Sequence, residues 1–180
     1  MLRLFFALQP APTQRDSLVA LVAPWVEELG GQAVPASNLH ATLCFVGALP
    51  EEQLPQLRAV AARVRGSHAT LSFDAVDFWE KPEILCATAR ESASARDLSA
   101  AIGEAVVAAG FKPDIKPFRA HLTLARKVRR RVAKEHRWPR ALEEVEVRCE
   151  EFVLMSSRRE DGRSIYSVVD SWPLYADDSR

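Results

Sequence analysis

The sequence predicts a mixed α and β fold, in one compact domain or two closely packed lobes, that contains the same structural unit twice. Three observations lead to this prediction. Of the 180 residues, 48% are hydrophobic, which is enough for a substantial core. Short apolar runs alternate with segments of helical periodicity along the chain. The order of these segments also repeats when the sequence is shifted by the 81 positions that separate His40 from His121.

The first half begins with a short apolar run at residues 2–8, which Pro10 ends and which predicts a buried strand. A helix is predicted at residues 13–29, because Thr13 is a residue type favoured at N-caps and two glycines, Gly30 and Gly31, follow. The remaining predicted elements of this half are a strand at 39–46, a helix at 51–65, and a strand at 70–79 with a turn at 80–82.

The second half repeats this order. It has predicted strands at 84–89, 121–124, 151–156 and 164–169, and a helix at 92–109 that Gly110 ends. The shift places strand on strand and helix on helix, and it matches the turn at Lys81 and Pro82 with a turn at Asp161 and Gly162. We therefore predict a duplicated strand-helix-strand-helix-hairpin unit.

Charge and cysteine content exclude several classes of protein. Lysine plus arginine and aspartate plus glutamate both number 24, so no overall field attracts nucleic acid or membrane, and an anionic ligand must be held by local groups. Cys44, Cys86 and Cys149 are far apart, so neither a disulfide framework nor a zinc site is expected. Their odd number and wide spacing indicate a reduced, cytoplasmic setting. With no signal-peptide core and no run of 18 apolar residues, we expect a soluble protein, and we expect no metal or cofactor.

Three similar tetrapeptides contain a histidine two positions before a threonine. HATL occurs at residues 40–43 and again at 68–71, and HLTL occurs at 121–124. The 81-residue shift places His40 on His121, whereas it places His68 on Cys149. We therefore predict that His40 and His121 form a functional pair and that His68 is a bystander.

Two His-x-Thr strands can perform acid–base chemistry on a phosphodiester. Side chains two positions apart on a strand share a face, so each strand presents an imidazole beside a hydroxyl. Two imidazoles, each with an unperturbed pKa of about 6.5, can act as base and acid near neutrality without a metal. Threonine hydroxyls can donate to the non-bridging phosphate oxygens. A bell-shaped pH dependence is expected.

In their context the two motifs read NLHATLCFVG at residues 38–47 and PFRAHLTLAR at residues 117–126. With FVLMSS at 152–157, then Gly162, Tyr166 and WPL at 172–174, they closely resemble the two-histidine phosphoesterase superfamily, specifically the bacterial RNA 2′,3′-cyclic phosphodiesterases, also called 2′-5′ RNA ligases. The resemblance implies an α+β fold that is bilobal and internally duplicated, with antiparallel sheets flanking a central active-site cleft and helices outside. Residues 1–180 would form a single domain of two pseudo-symmetric lobes.

The resemblance also implies an activity and a role for each site residue. The activity would be metal-independent opening of an RNA terminal 2′,3′-cyclic phosphate to a 2′-phosphate, with weak ATP-independent 2′-5′ ligation. His40 would be the proton donor and His121 the proton acceptor, while Thr42, Thr123 and Arg126 would bind the substrate. Strand parity places Arg126 on the face opposite His121, so its role requires the strand to end or twist first.

Two features are open to more than one interpretation. Residues 126–140 carry eight lysines and arginines opposed only by Glu135, which suits either a positive rim that contacts RNA or a solvated helix face. The glutamates that would balance such a helix face are Glu143, Glu144, Glu146, Glu150 and Glu151. By parity Cys44 shares a face with His40 and Thr42, where we expect it to be a packed residue and not a nucleophile.

The alternative to an enzyme is a binding module that recognises phosphorylated RNA ends or nucleotides without turnover. Arginine and backbone amides alone could bind phosphate, so the presence of both histidines favours catalysis. In either case the expected partners are RNA ends or small cyclic-phosphate nucleotides. No membrane and no obligate protein partner are expected, which is compatible with a monomer.

Overall fold

A computed structural model describes residues 1–160 and 163–176, and the turn predicted at Asp161 and Gly162 lies outside the described residues. The predicted α+β class is confirmed. The first half contains strand β1 (Leu2–Leu8), helix α1 (Pro12–Leu29), strands β2 (Gln32–Ala33) and β3 (Ala41–Leu49), helix α2 (Leu54–Ala61) and strand β4 (Ala69–Trp79). The second half contains strand β5 (Ile84–Ala89), helix α3 (Ala93–Ala108), strand β6 (His121–Arg126), helix α4 (Arg130–Ala133) and strands β7 (Arg140–Cys149), β8 (Glu151–Glu160) and β9 (Arg163–Pro173).

The strands form two antiparallel sheets with matching orders. The first sheet has the order β3-β1-β8-β9, and the second has the order β2-β6-β5-β4-β7. By position in the sheet, the four strands of the first sheet match β6, β5, β4 and β7 of the second, and the 81-residue shift relates the first three of these pairs. Because β4 joins the second sheet and β8 joins the first, each sheet contains strands from both halves of the chain. This exchange supports the predicted duplication, although the division into two pseudo-symmetric lobes remains a prediction.

The main core lies between the sheets and the helices on their outer faces. Alternate residues of β1, namely Leu4, Phe6 and Leu8, are fully buried in it. The intervening Phe5 and Ala7 belong to a separate small cluster with Val153 and Met155 on the other face of the same sheet. β1 is therefore buried on both faces, and its second face supports the site described below.

Several predicted boundaries differ from the structure. Helix α1 begins at Pro12 after an Ala11 N-cap, so the predicted Thr13 cap is wrong; proline suits the first helical turn because its missing N–H would be unpaired there. Gly30 ends this helix in the left-handed conformation, as predicted. The helix predicted at 51–65 is shorter, because residues 51–53 form a 3-10 turn and α2 ends at Ala61.

Strand β7 was not predicted. It is an edge strand that pairs only with β4, and charged residues cover most of its exposed side. The alternation of Val145, Val147 and Cys149 with charged residues is the signal that could have revealed it.

A β-bulge follows the threonine in each His-x-Thr strand. Between β1 and β3, Ala7 pairs with Thr42 and Phe6 pairs with Cys44, so Leu43 is the inserted residue. The pairing of β5 with β6 skips Leu124 in the same way. Two consecutive residues of each strand therefore point into the core, and the next residue returns to the face of the histidine.

The bulges correct the parity argument at two positions. Cys44 does not share the face of His40, because it follows the inserted Leu43 and is buried in the core. Arg126 does return to the face of His121, because Leu124 and Ala125 are both buried before it. The bulge supplies the local change of direction that the role of Arg126 requires.

Each inserted leucine has a partner for its carbonyl oxygen. The buried Ser99 of α3 donates from Oγ to the Leu43 carbonyl at 2.6 Å, and the Val34 amide donates to the Leu124 carbonyl at 2.8 Å. A buried carbonyl without a partner is costly, so these contacts stabilise the bulges.

We predict that Ser99→Ala lowers the free energy of unfolding by about 1–3 kcal/mol, because it leaves the Leu43 carbonyl buried and unpaired. Urea denaturation measures the change. The matched control is Ser17→Ala in α1, where an exposed hydroxyl bonds within its own helix and the expected change is below about 0.5 kcal/mol. Equal small effects for the two variants would contradict this account of the bulge.

Candidate active site

The two sheets enclose a cleft of about 560 Å³ that contains all five predicted site residues. Those residues are His40, Thr42, His121, Thr123 and Arg126. His68 is not among the residues that line this cleft; it precedes β4, and its Nδ1 accepts a hydrogen bond from Arg148 at 2.7 Å. The structure thus brings together the pair that the 81-residue shift selects and leaves the third histidine outside.

Both cleft histidines make the same backbone hydrogen bond. Nδ1 of His40 lies 2.7 Å from the carbonyl oxygen of Asn38, and Nδ1 of His121 lies 2.7 Å from that of Arg119. A carbonyl can only accept, so Nδ1 must carry the proton in each neutral ring. Nε2 is then the unprotonated nitrogen, available as a base in the cleft.

The loop before His40 is itself anchored to the opposite end of the chain. The side chain of Asn38 is buried and donates from Nδ2 to the carbonyl of Ser164 in β9 at 3.1 Å. This contact fixes the carbonyl that orients His40. Asn38 was not predicted as a site residue, because its partner is 126 positions away along the chain.

Aromatic rings pack against both imidazoles. The centroid of His40 is 4.8 Å from that of Phe5 and 4.9 Å from that of Tyr166, and the centroid of His121 is 4.6 Å from that of Trp79. These contacts restrict the rotation of the rings and exclude water from them. Phe5 and Trp79 were not predicted as site residues, since no local pattern marks them.

Burial changes the acidity of both histidines. Desolvation lowers the pKa of His40 to about 4, against the raising effect of its hydrogen bond to Asn38 and with smaller contributions from the charges of Arg126 and His121. Desolvation also lowers the pKa of His121, opposed by the Arg119 carbonyl and assisted by the Arg119 charge. Both rings are therefore neutral at pH 7 in the free protein. Their pKa values lie below the value of about 6.5 assumed from the sequence.

Arg126 is held in the cleft by a second residue of the site. Its Nη2 donates to the Tyr166 hydroxyl at 3.2 Å, and this places the guanidinium beside the histidines. The corresponding position of the other motif is Phe45, whose ring lies under the guanidinium of Arg3 at 4.9 Å. The two motifs thus differ after their bulges, with a charge on one side of the cleft and an aromatic ring on the other.

None of the three cysteines has the properties of a nucleophile. Burial raises the pKa of Cys44 to about 11 and those of Cys86 and Cys149 to about 12. All three thiols are free and buried. Cys44 is a packed residue, as expected, although on the core side of its strand.

The basic run at 126–140 is divided among several surroundings. Arg130 and Lys134 pair with Glu80, and Arg140 covers the ring of Trp25 at 4.3 Å. The interpretation of the run as a solvated helix face balanced by later glutamates is wrong. α4 spans only four residues, and the carboxylate that pairs with Arg130 and Lys134 is that of Glu80, not of Glu143 or a later glutamate. Whether the rest of the run contacts RNA stays a prediction.

Within residues 1–160 and 163–176, no three histidine, cysteine, aspartate or glutamate side chains lie close enough together to hold a metal ion. None of the helices in this same part is both long and apolar enough to cross a membrane.

Comparison with known proteins agrees with the geometry of the site. Residues 13–161 match the family described as the 2′-5′ RNA ligase superfamily. The chain belongs to this superfamily. Family membership predicted from the two His-x-Thr motifs is thus confirmed.

Relatives from two organisms resemble the chain over nearly its whole length. The RNA 2′,3′-cyclic phosphodiesterase of Thermus thermophilus is 30% identical, with 99% of this chain and 93% of that protein covered. The Escherichia coli protein of the same name is 27% identical, with 96% of each covered. Crystal structures of Escherichia coli LigT, in apo form and complexed with 3′-AMP, match with TM-scores of 0.83 and 0.82 at 25% identity, and each match covers at least 96% of both chains.

We predict that His40 in the free protein is the Nδ1–H tautomer and stays neutral down to about pH 5, because its pKa is about 4. Long-range 1H–15N correlation spectra across pH report both properties, and the His40→Gln variant assigns the signals. An Nε2–H tautomer at pH 7, or a titration midpoint near 6.5, would contradict the prediction.

Proposed function

We propose that this protein hydrolyses the terminal 2′,3′-cyclic phosphate of RNA to a 2′-phosphate without a metal ion. The observation that carries the proposal is the pair of histidines with Nδ1 fixed by a carbonyl and Nε2 free, facing one cleft with two threonines. The relatives named RNA 2′,3′-cyclic phosphodiesterase support this substrate class. A cytoplasmic location, first inferred from the unpaired cysteines, is part of the proposal.

The reaction needs one proton taken and one proton given. Nε2 of His121 accepts a proton from water as its oxygen attacks the phosphorus. The bond from phosphorus to the 3′ oxygen breaks, and protonated Nε2 of His40 gives its proton to that oxygen. The products are a 2′-phosphate and a free 3′-hydroxyl. If the 5′-hydroxyl of another RNA replaces water, the same step gives a 2′-5′ linkage and accounts for weak ligation.

Thr42, Thr123 and Arg126 would bind the non-bridging oxygens. The hydroxyls of Thr42 and Thr123 stand beside the histidines on the same strand faces and supply neutral donors. Arg126, held by Tyr166, supplies a positive charge where negative charge accumulates in the transition state.

Substrate binding would determine whether His40 is protonated. In the free protein the Arg126 charge contributes to lowering the pKa of His40. A bound cyclic phosphate carries one negative charge, which offsets the charge of Arg126 and attracts a proton to His40. The donor thus becomes protonated when the substrate is present.

The binding module remains the second candidate, because neutral imidazoles and a fixed arginine could also hold a phosphate without turnover. Turnover by the purified protein decides between the two. The tautomer of both imidazoles favours the enzyme, since a binding site has no need of two matched, unprotonated nitrogens.

We predict that the purified protein, in the presence of a chelator, converts an oligonucleotide with a 2′,3′-cyclic phosphate end to one with a 2′-phosphate. His40→Ala and His121→Ala should each lower kcat by about 10²-fold or more, because each removes a proton-transfer group. Product chromatography against 2′- and 3′-phosphate standards measures the outcome.

The control for the histidine variants is His68→Ala, which should retain a rate close to that of the unmodified protein, since His68 contacts Arg148 outside the cleft. Circular dichroism checks that each variant is folded. Absence of turnover from pH 5 to pH 9 would refute the enzyme, and loss of activity in a folded His68→Ala variant would refute the assignment of the pair.

We predict different pH optima for kcat/KM and kcat. kcat/KM reports the free protein, where both histidine pKa values are lowered, so its maximum should lie below pH 6.5. kcat reports the bound complex, where the phosphate raises the pKa of His40, so its alkaline limb should lie at higher pH. Steady-state rates from pH 4 to pH 9 test this, and coincident optima above pH 7 would contradict it.

A further inference from the structure

A groove of about 470 Å³ leads out of the cleft on the side of Trp79, and we name it the Trp79 groove. It shares four lining residues with the cleft and adds residues from the segment before β6. The shared residues are Arg3, Thr42, Phe45 and His121, and the added ones used below are Trp79, Lys116, Phe118 and Arg119. A ligand in this groove is therefore continuous with one at the histidines.

The groove contains two pairs of an arginine and an aromatic ring. The guanidinium of Arg3 lies 4.9 Å from the centre of Phe45 in the first sheet, and that of Arg119 lies 5.1 Å from the centre of Trp79 in the second. In each pair the guanidinium lies over the ring, so the pair presents a planar cation backed by an aromatic ring. Aromatic rings with nearby cations are the features by which proteins hold unpaired bases and their phosphates.

Hydrogen bonds hold two parts of the groove in place. Nε1 of Trp79 donates to the Asp77 carboxylate at 3.0 Å, which holds the indole. The amide of Asp114 donates to the carbonyl of Phe45 at 2.9 Å, so the segment before β6 is tied to β3. Lys116 projects from this segment with its ammonium 2.6 Å from the Asp114 carboxylate. These contacts lower the ordering cost for an RNA strand that enters the groove.

We propose that the Trp79 groove binds the nucleotide on the 5′ side of the terminal cyclic phosphate, by stacking its base and contacting its phosphate with Lys116 and Arg119. This inference rests on the proposed function and specifies the substrate as single-stranded RNA of at least two nucleotides. It also links RNA binding to the reaction, because Trp79 lines the groove and packs against His121.

A second groove leaves the cleft on the side of Arg126 and is the competing path. It also carries cations, including Lys127 and Arg159, so charge does not distinguish the two grooves. Its aromatic residue is Tyr166, whose ring packs against Phe5 and His40. Rings of the Trp79 groove also have neighbours, since Trp79 packs against His121 and Arg119. The Trp79 groove nevertheless has three aromatic residues, Phe45, Trp79 and Phe118, and this larger number of rings favours it.

The test compares two substrates and two matched variants. The substrates are adenosine 2′,3′-cyclic phosphate and a triadenylate with a 2′,3′-cyclic phosphate end. Lys116→Gln removes one charge from the Trp79 groove, and Lys127→Gln removes one from the other groove; both lysines are exposed. We expect the unmodified protein to prefer the triadenylate by at least about five-fold in kcat/KM, the gain of one stacked base.

Lys116→Gln should lower kcat/KM for the triadenylate several-fold and leave that for the mononucleotide unchanged. The slope of log kcat/KM against log salt should become shallower by about 0.7, the effect of one lost phosphate contact on a single strand. A triadenylate that lacks the base of its penultimate nucleotide should lose most of its advantage in kcat/KM over the mononucleotide. The inference is overturned if Lys127→Gln has these effects instead, or if neither variant has them.

A binding measurement separates this inference from the proposed activity. Fluorescence anisotropy of a labelled triadenylate ending in a 2′-phosphate compares the same variants without turnover. Weaker binding by Lys116→Gln alone supports the groove even if no substrate is hydrolysed. Equal binding by the unmodified protein and both variants overturns it even if both substrates are hydrolysed.

Discussion

The alternation of side chains along a strand is the constraint on which the site depends. Three residues of each motif must face the cleft at positions one, three and six, whereas regular alternation would turn the sixth away. The bulge at Leu43 and its equivalent at Leu124 resolve this by placing two consecutive residues in the core. Ser99 and Val34 then satisfy the carbonyls of the inserted residues. Contacts from helix α3 and from the residue after β2 therefore support the strand faces that carry the two histidines.

Much of the fold was predictable because its signals are local. β5 coincides with its predicted range. Helices α1 and α3 end just before Gly30 and Gly110, as predicted. The exchange of β4 and β8 between sheets was not predictable, since turn chemistry does not say which strand lies beside which. β7 was missed because its apolar alternation covers only the last five residues, 145–149, and charged residues dominate the rest of the strand.

The site was predictable in its reactive groups but not in its surroundings. His40 and His121 are identified by their equivalent positions in the two repeats, which requires no knowledge of tertiary contacts. Asn38, Phe5 and Trp79 are marked only by partners distant in sequence. Their effect on acidity is correspondingly absent from the sequence: the assumed pKa of about 6.5 ignores desolvation, which is the largest influence on both rings.

A two-fold site would by itself accept a phosphate in either of two orientations, because each half offers the same imidazole and hydroxyl. The residue after each bulge makes the two halves different. It is Arg126 in one motif and Phe45 in the other, and each has a complementary neighbour: Arg126 donates to the Tyr166 hydroxyl, and Arg3 lies over the Phe45 ring. Both sides thus carry a charge and a ring, but the motif strand supplies the charge on one side and the ring on the other. The two orientations of a substrate are therefore not equivalent, and the proposed roles of His40 as proton donor and His121 as proton acceptor require such a difference.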